Sequence, residues 1–182
     1  MDESDENSVQ AVNLPKALLD NRELFQKVRA KKTRFPRILQ ALGELAVESS
    51  QLERELQIAL CQLLTAGHPK MNPDVVNAIA QEKRPFGKLA DLVKELFNAR
   101  IVDEEKRKPF HAALNEAKKL MEERGNRIHG SWSLDYTTDK VAYFAHKATS
   151  ESVDPEDIET IVKKIQTCKD HICENLFKAF RS

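Results

Sequence analysis

Apolar residues recur along most of this chain in alternating steps of four and three. That spacing collects side chains on one face of a helix packed lengthwise against others. Ile38, Leu42, Leu45, Ser49, Leu52, Leu56, Ala59 and Leu63 make one such row, and Phe110, Leu114, Ala117, Met121, Arg124 and Ile128 make a second. A third runs Ile158, Ile161, Ile165, Cys168, Ile172, Leu176 and Ala179, and a shorter one holds Phe86, Leu89, Val93, Leu96 and Phe97. After Gly130 the period changes to two: Trp132, Leu134 and Tyr136 alternate with polar residues, Thr137-Thr138-Asp139-Lys140 reads as a turn, and Val141, Tyr143 and Ala145 resume the alternation.

Turn and cap residues divide these rows into elements. A short amphipathic helix is expected over residues 15–30, and Pro36 then stands where the start of a new helix of some thirty residues tolerates it. Gly67-His68-Pro69 ends that helix. Asn72-Pro73-Asp74 caps a short one through residue 80, residues 86–99 form another, and Asp103 caps a long helix that includes the second row. Asp154-Pro155 starts the last. The expected fold is all-α, a four- to five-helix up-and-down bundle with a small β-hairpin before the last helix. Residues 1–12, acidic and with little to bury, are expected to be a disordered tail, and residues 13–182 a single helical domain.

Charge narrows the function. Lysine plus arginine and aspartate plus glutamate balance at 29 each, so no global field draws in nucleic acid. Such a partner would be held locally, or by a dimer that concentrates basic residues. Cys61, Cys168 and Cys173 have no zinc-like or CxxC spacing and read as reduced thiols, Cys168 as a small hydrophobe. With no signal-like N-terminus and no apolar run near the ~18 residues of a span, a soluble cytoplasmic protein is expected, without membrane association. No phosphate loop, HExxH or GxSxG motif occurs, and no cofactor or metal is expected.

The chemistry concentrates in Glu123-Arg124-Gly125-Asn126-Arg127-Ile128-His129-Gly130-Ser131-Trp132, at the end of the long helix. A guanidinium can hold a phosphate through two parallel hydrogen bonds, and an imidazole moves protons near neutral pH. Arg124 and His129 are therefore the candidate catalytic pair, with Asn126 able to orient the phosphate or the histidine. A structural reading competes: basic residues offset the dipole of any helix C-terminus, and a glycine permits a left-handed cap. Arg124 stands on an inward row where a bundle expects leucine. Glu53 likewise interrupts a row of Leu39, Ala46 and Leu60. Either Glu53 is an exposed residue at the edge of the stripe, or it is partly buried and answers Arg124.

A helical bundle whose long penultimate helix ends in arginine, four residues, then histidine resembles the HEPN superfamily of prokaryotic helical domains. Leu42-Gly43-Glu44-Leu45, Leu52-Glu53-Arg54-Glu55-Leu56, Pro85-Phe86-Gly87-Lys88-Leu89 and Asn126-Arg127-Ile128-His129-Gly130-Ser131-Trp132 carry the resemblance, over about residues 35–180. It implies a homodimer and a metal-independent endoribonuclease, in defence or in a toxin–antitoxin system with an antitoxin or other partner protein. Arg124 and His129 match the motif's arginine and histidine. Gly125 follows the arginine where the family usually has Asn, Asp or His, and Ser131 replaces a tyrosine found in some toxin branches. The alternative is a HEPN-like module that dimerises or binds a partner without catalysis.

Overall fold

The computed structural model describes the backbone of residues 16–67, 70–135, 140–144 and 151–180, and the side chains of 35–66, 70–132 and 153–180. The acidic segment 1–12 lies outside them. Most of the described residues are helical: α1 (Lys16–Gly67), α2 (Pro73–Gln81), α3 (Phe86–Arg100), α4 (Glu104–His129) and α5 (Pro155–Phe180). Between α4 and α5, β1 (Ser131–Asp135) pairs antiparallel with β2 (Lys140–Phe144), which pairs with the two-residue β3 (Glu151–Ser152). The turn expected to join β1 and β2 falls mostly on residues 136–139, outside the described residues.

The helix expected to break at Pro36 does not. α1 is one helix of 52 residues with Pro36 inside it. Proline removes one backbone hydrogen bond and crowds the carbonyl four residues earlier, a local cost of ~3 kcal/mol. Residues 31–35, Lys-Lys-Thr-Arg-Phe, hold no glycine or turn former to stop the helix before the proline. The other boundaries follow their caps. Asn72 accepts the Asp74 amide at 2.8 Å, and Asp103 accepts the Glu105 amide at 3.0 Å. At the start of α5, the Asp157 carboxylate accepts the Asp154 amide at 3.0 Å, half of a reciprocal capping box.

The predicted rows form the core. Ile38, Leu45, Leu52, Leu56 and Leu63 of α1 are fully buried, as are Ile158, Ile165 and Ile172 of α5 to within 1%. Phe97 and Phe110 stack with ring centroids 4.0 Å apart and tie α3 to α4. Glu48 and Ser49 show how α1 manages polar groups on this face. Ser49 is buried and donates its hydroxyl to the Leu45 carbonyl, whereas Glu48 accepts Gln166 at 3.0 Å and Lys169 at 3.1 Å.

Cross-helix contacts fix directions. Arg37 meets Glu156 and Glu159, Glu48 meets Gln166 and Lys169, and Glu55 meets Cys173. Residue numbers rise together, so α1 and α5 run parallel. In α3 and α4 they run oppositely: Asp91 pairs with Lys118, and Asn98 with His111. Those two helices are antiparallel neighbours, as a connection of three residues between them requires.

Candidate functional site

α4 carries the motif at its last turns. The buried residues of α4 stop at Leu120; Met121 and Ile128, on its inward row, are half-buried and pack against the core. Arg124 lies between them, also half-buried. Its Nε is buried and has no hydrogen-bond partner, and the side chain forms no ion pair among the described residues. An uncompensated buried donor costs ~1–3 kcal/mol, so this position is held at a cost in stability.

The Glu53–Arg124 pair is not formed. Glu53 is half-buried on α1 and makes no hydrogen bond or ion pair among the described residues. Its row explains why: Leu39 is 53% exposed and Leu60 is fully buried, so Glu53 stands where the row crosses the edge of the core. A carboxylate there keeps water and gains little from a cation. Glu53 is thus half-buried at the edge of the stripe and does not answer Arg124 among the described residues.

His129 is the last residue of α4 and is exposed, as are Asn126 on the outer face and Ser131 at the start of β1. Helix geometry separates Arg124 from His129 by about 140° around the axis and about 7.5 Å along it, at 100° and 1.5 Å per residue. Within one α4 the two groups therefore leave the helix in different directions. His129 lies on the same edge as Lys118, eleven residues earlier, which is only about 20° away on the helical wheel. Lys118 binds Asp91 of α3, so that edge faces α3.

The C-cap differs from expectation. Gly130 has φ −78° and ψ 164°, an extended conformation open to any residue, and uses no left-handed cap. Instead Trp132 closes the helix end: its indole Nε1 donates to the Arg127 carbonyl at 3.1 Å, satisfying one of the terminal acceptors. The spacing of Trp132 from the helix end was visible in the sequence, but not its hydrogen bond.

Other titratable groups are structural. His111, placed in no constellation beforehand, contacts Asn98 Oδ1 through Nε2 at 2.7 Å, and burial, then Lys94, hold its pKa below the usual value. Arg107 donates to the carbonyls of Ile101 and, at 2.7 Å, Asn98, closing the end of α3. Arg84 does the same for α2, donating to the Ile79 carbonyl. Cys168 donates to the Ala113 carbonyl at 3.3 Å, and burial pushes its thiol up to about 11, as expected of a small core residue.

Two surface grooves lie away from the motif. One of about 740 Å³ runs between the C-terminal halves of α1 and α5, where Ile58, Phe177 and Phe180 are 40–54% exposed. The other, about 830 Å³, lies between α4 and α5 and is lined by Lys163, Lys164 and His171 among others. Neither contains Arg124, Asn126 or His129. No helix among the described residues is long and apolar enough to cross a membrane. No protein-family model, curated protein or solved structure matches the chain.

Proposed function

We propose that the chain is a metal-independent endoribonuclease of the HEPN type that works as a homodimer. The observation that carries the reading is Arg124: a half-buried guanidinium on an inward helical row, bound to no acid among the described residues, five positions before an exposed histidine. Glu53, the partner the sequence offered, does not neutralise it among the described residues.

The reaction is attack by an RNA 2′-hydroxyl oxygen on the adjacent phosphorus. The P–O5′ bond breaks, leaving a 2′,3′-cyclic phosphate and a 5′-hydroxyl. One imidazole takes the 2′-hydroxyl proton and another protonates O5′, each step worth typically ~10²–10⁴-fold. Arg124 holds the charge that develops on the non-bridging oxygens. A single chain has one His129, and its direction differs from that of Arg124. Two copies related by a two-fold axis supply two histidines and two arginines to one cleft. Asn126, exposed beside His129, orients the phosphate. A role in defence or toxin–antitoxin pairing belongs to this reading.

A second reading, a non-catalytic module that binds a partner protein, is favoured by one feature, the apolar groove at Ile58, Phe177 and Phe180. The deciding experiment is cleavage of labelled RNA in EDTA by wild type and His129→Ala. Wild type alone should cleave, with a cyclic phosphate end and no action on DNA. Equal cleavage by both variants, or none by either over several RNAs, rejects the ribonuclease.

A further inference from the structure

We infer that the outward face of α1 is the seat of a second copy of this chain, α1 packing antiparallel on α1 about a two-fold axis between Glu48 and Ser49. The inference goes beyond the ribonuclease reading and does not rest on it.

Leu45, Leu52, Leu56 and Leu63 turn one side of α1 into the core. The opposite side holds Leu39, Gly43, Val47, Ser50, Arg54 and Ile58, in steps of four, four, three, four and four. At 100° per residue these six lie within an arc of about 100° that is centred opposite the core leucines. All six are exposed, Leu39, Val47 and Ile58 by 53, 57 and 40%. Arg54 is the one charge among them. The exposed sides of α4 and α5 are charged in the usual way, through Glu105, Lys108 and Glu116 on one and Lys163, Asp170 and Glu174 on the other. A long apolar strip left in water on the longest helix is the mark of a contact surface.

The strip complements itself. An isologous contact needs residue i of one copy to meet j of the other while j meets i. Antiparallel pairing about the stated axis sets Val47 against Ser50 and Gly43 against Arg54, and brings Leu39 level with Ile58. Val47 of the second copy then enters a hollow of about 390 Å³ bounded by Ala46, Val47, Ser50, Gln51 and Arg54. The Ser50 hydroxyl already donates to the Ala46 carbonyl at 2.9 Å, so covering it leaves no donor without an acceptor. Gly43 lets the Arg54 side chain of the second copy pass and reach Glu44. Neither Arg54 nor Glu44 forms an ion pair among the described residues, and the two-fold axis gives both of them one. The chain's own packing does not require the glycine: a Cβ at position 43 meets nothing within 4 Å. Glycine weakens a helix interior, and close approach of another chain is a reason to keep it. Nucleic acid or an anionic membrane would need several cations, where this face has one.

Antiparallel pairing sends the two α4 termini to opposite ends. The axis therefore differs from one that unites two motifs, and both axes together close a tetramer.

Sedimentation equilibrium of the full chain tests the contact. Wild type should be an assembly, and Gly43→Lys should halve its mass with helix content by circular dichroism unchanged, since the fold has room for the side chain. Val47→Lys, at an exposed position, should do the same. Arg54→Glu and Glu44→Arg should each raise the dissociation constant about tenfold, because each acts at two symmetric contacts. The two combined should return it to within about threefold of wild type. A wild type that is monomeric at every concentration overturns the inference. So does an assembly whose mass neither lysine variant lowers, which leaves pairing through the motif standing. Dissociation by the single charge variants without rescue in the combined one overturns the antiparallel register. Cleavage by wild type and His129→Ala decides the ribonuclease separately.

Discussion

Replacing Arg124 by methionine should make the protein more stable and inactive. The substitution keeps an unbranched stem of similar reach against Met121 and Ile128 and removes only the guanidinium. What is lost in the folded state is a buried Nε with no acceptor, while the rest of the half-buried head group keeps some water. A buried unsatisfied donor costs ~1–3 kcal/mol; partial hydration places this one at the low end, about 1 kcal/mol. Arg124 lies more than a turn from the end of α4, so little favourable helix-dipole energy is lost in exchange. For a chain of this size, ~1 kcal/mol shifts the melting midpoint by about 2–4 °C. The assay is thermal unfolding by circular dichroism, wild type beside Arg124→Met and Arg124→Lys, with RNA cleavage measured on the same samples. Arg124→Lys removes Nε but keeps charge, so it should match methionine less closely in stability and still lose most cleavage, since a bidentate phosphate fork is gone. A drop of 1 kcal/mol or more in Arg124→Met would refute the reasoning: the guanidinium would then hold the fold together, and the arginine would be structural.

Three further outcomes follow from packing and charge. Glu53→Gln should leave stability within ~0.5 kcal/mol of wild type in chemical denaturation, because nothing among the described residues pairs with it; a larger loss would mean a cation reaches Glu53 after all. Phe110→Ala should cost ~3–5 kcal/mol, since the ring is fully buried and stacked on Phe97, and a loss under 1 kcal/mol would mean the α3–α4 contact is misread. Glu48→Gln probes the parallel α1–α5 pairing. Hydrogen bonding from Gln166 and then Lys169 holds the Glu48 carboxyl below its ordinary 4.5, so its contribution is present above that pH and is lost as pH falls through the lower folded value. The variant should be ~1 kcal/mol less stable at pH 7, with the difference shrinking as pH falls below 4.5, and a pH-independent difference would count against an ionic origin.

The helices were readable in the sequence because burial along α1, α4 and α5 follows the apolar period almost residue by residue. Ile38 through Leu63 and Ile158 through Ala179 are the rows on which the core is built. Three things were not readable, each for a physical reason. Pro36 looked like a start because proline suits a first turn, yet a helix with no other breaker nearby accepts it in the interior at the loss of one hydrogen bond. Glu53 and Arg124 looked like partners because both interrupt apolar rows, but heptad spacing does not say where a row leaves the core, and Glu53 sits at that edge. The parallel direction of α1 and α5 has no signature in either row; it depends on which surfaces of helices distant in sequence meet.

The two readings of the α4 terminus make opposite demands on its residues. A helix end selected only for stability would place cations in the last turn, where the dipole rewards them by ~0.3–1 kcal/mol, and would fill the inward row with leucine. Arg127 and His129 satisfy the first rule and say nothing about function. Arg124 breaks the second. Its guanidinium lies too early for the dipole, on the face that the core wants apolar, and Glu53 does not neutralise it. Trp132 already closes the helix end through the Arg127 carbonyl, so no capping role is left for Arg124. Natural chains keep such locally unfavourable residues where activity depends on them, at the expense of stability. Arg124, rather than the motif spacing, is therefore the strongest argument that this end of the bundle binds an anion.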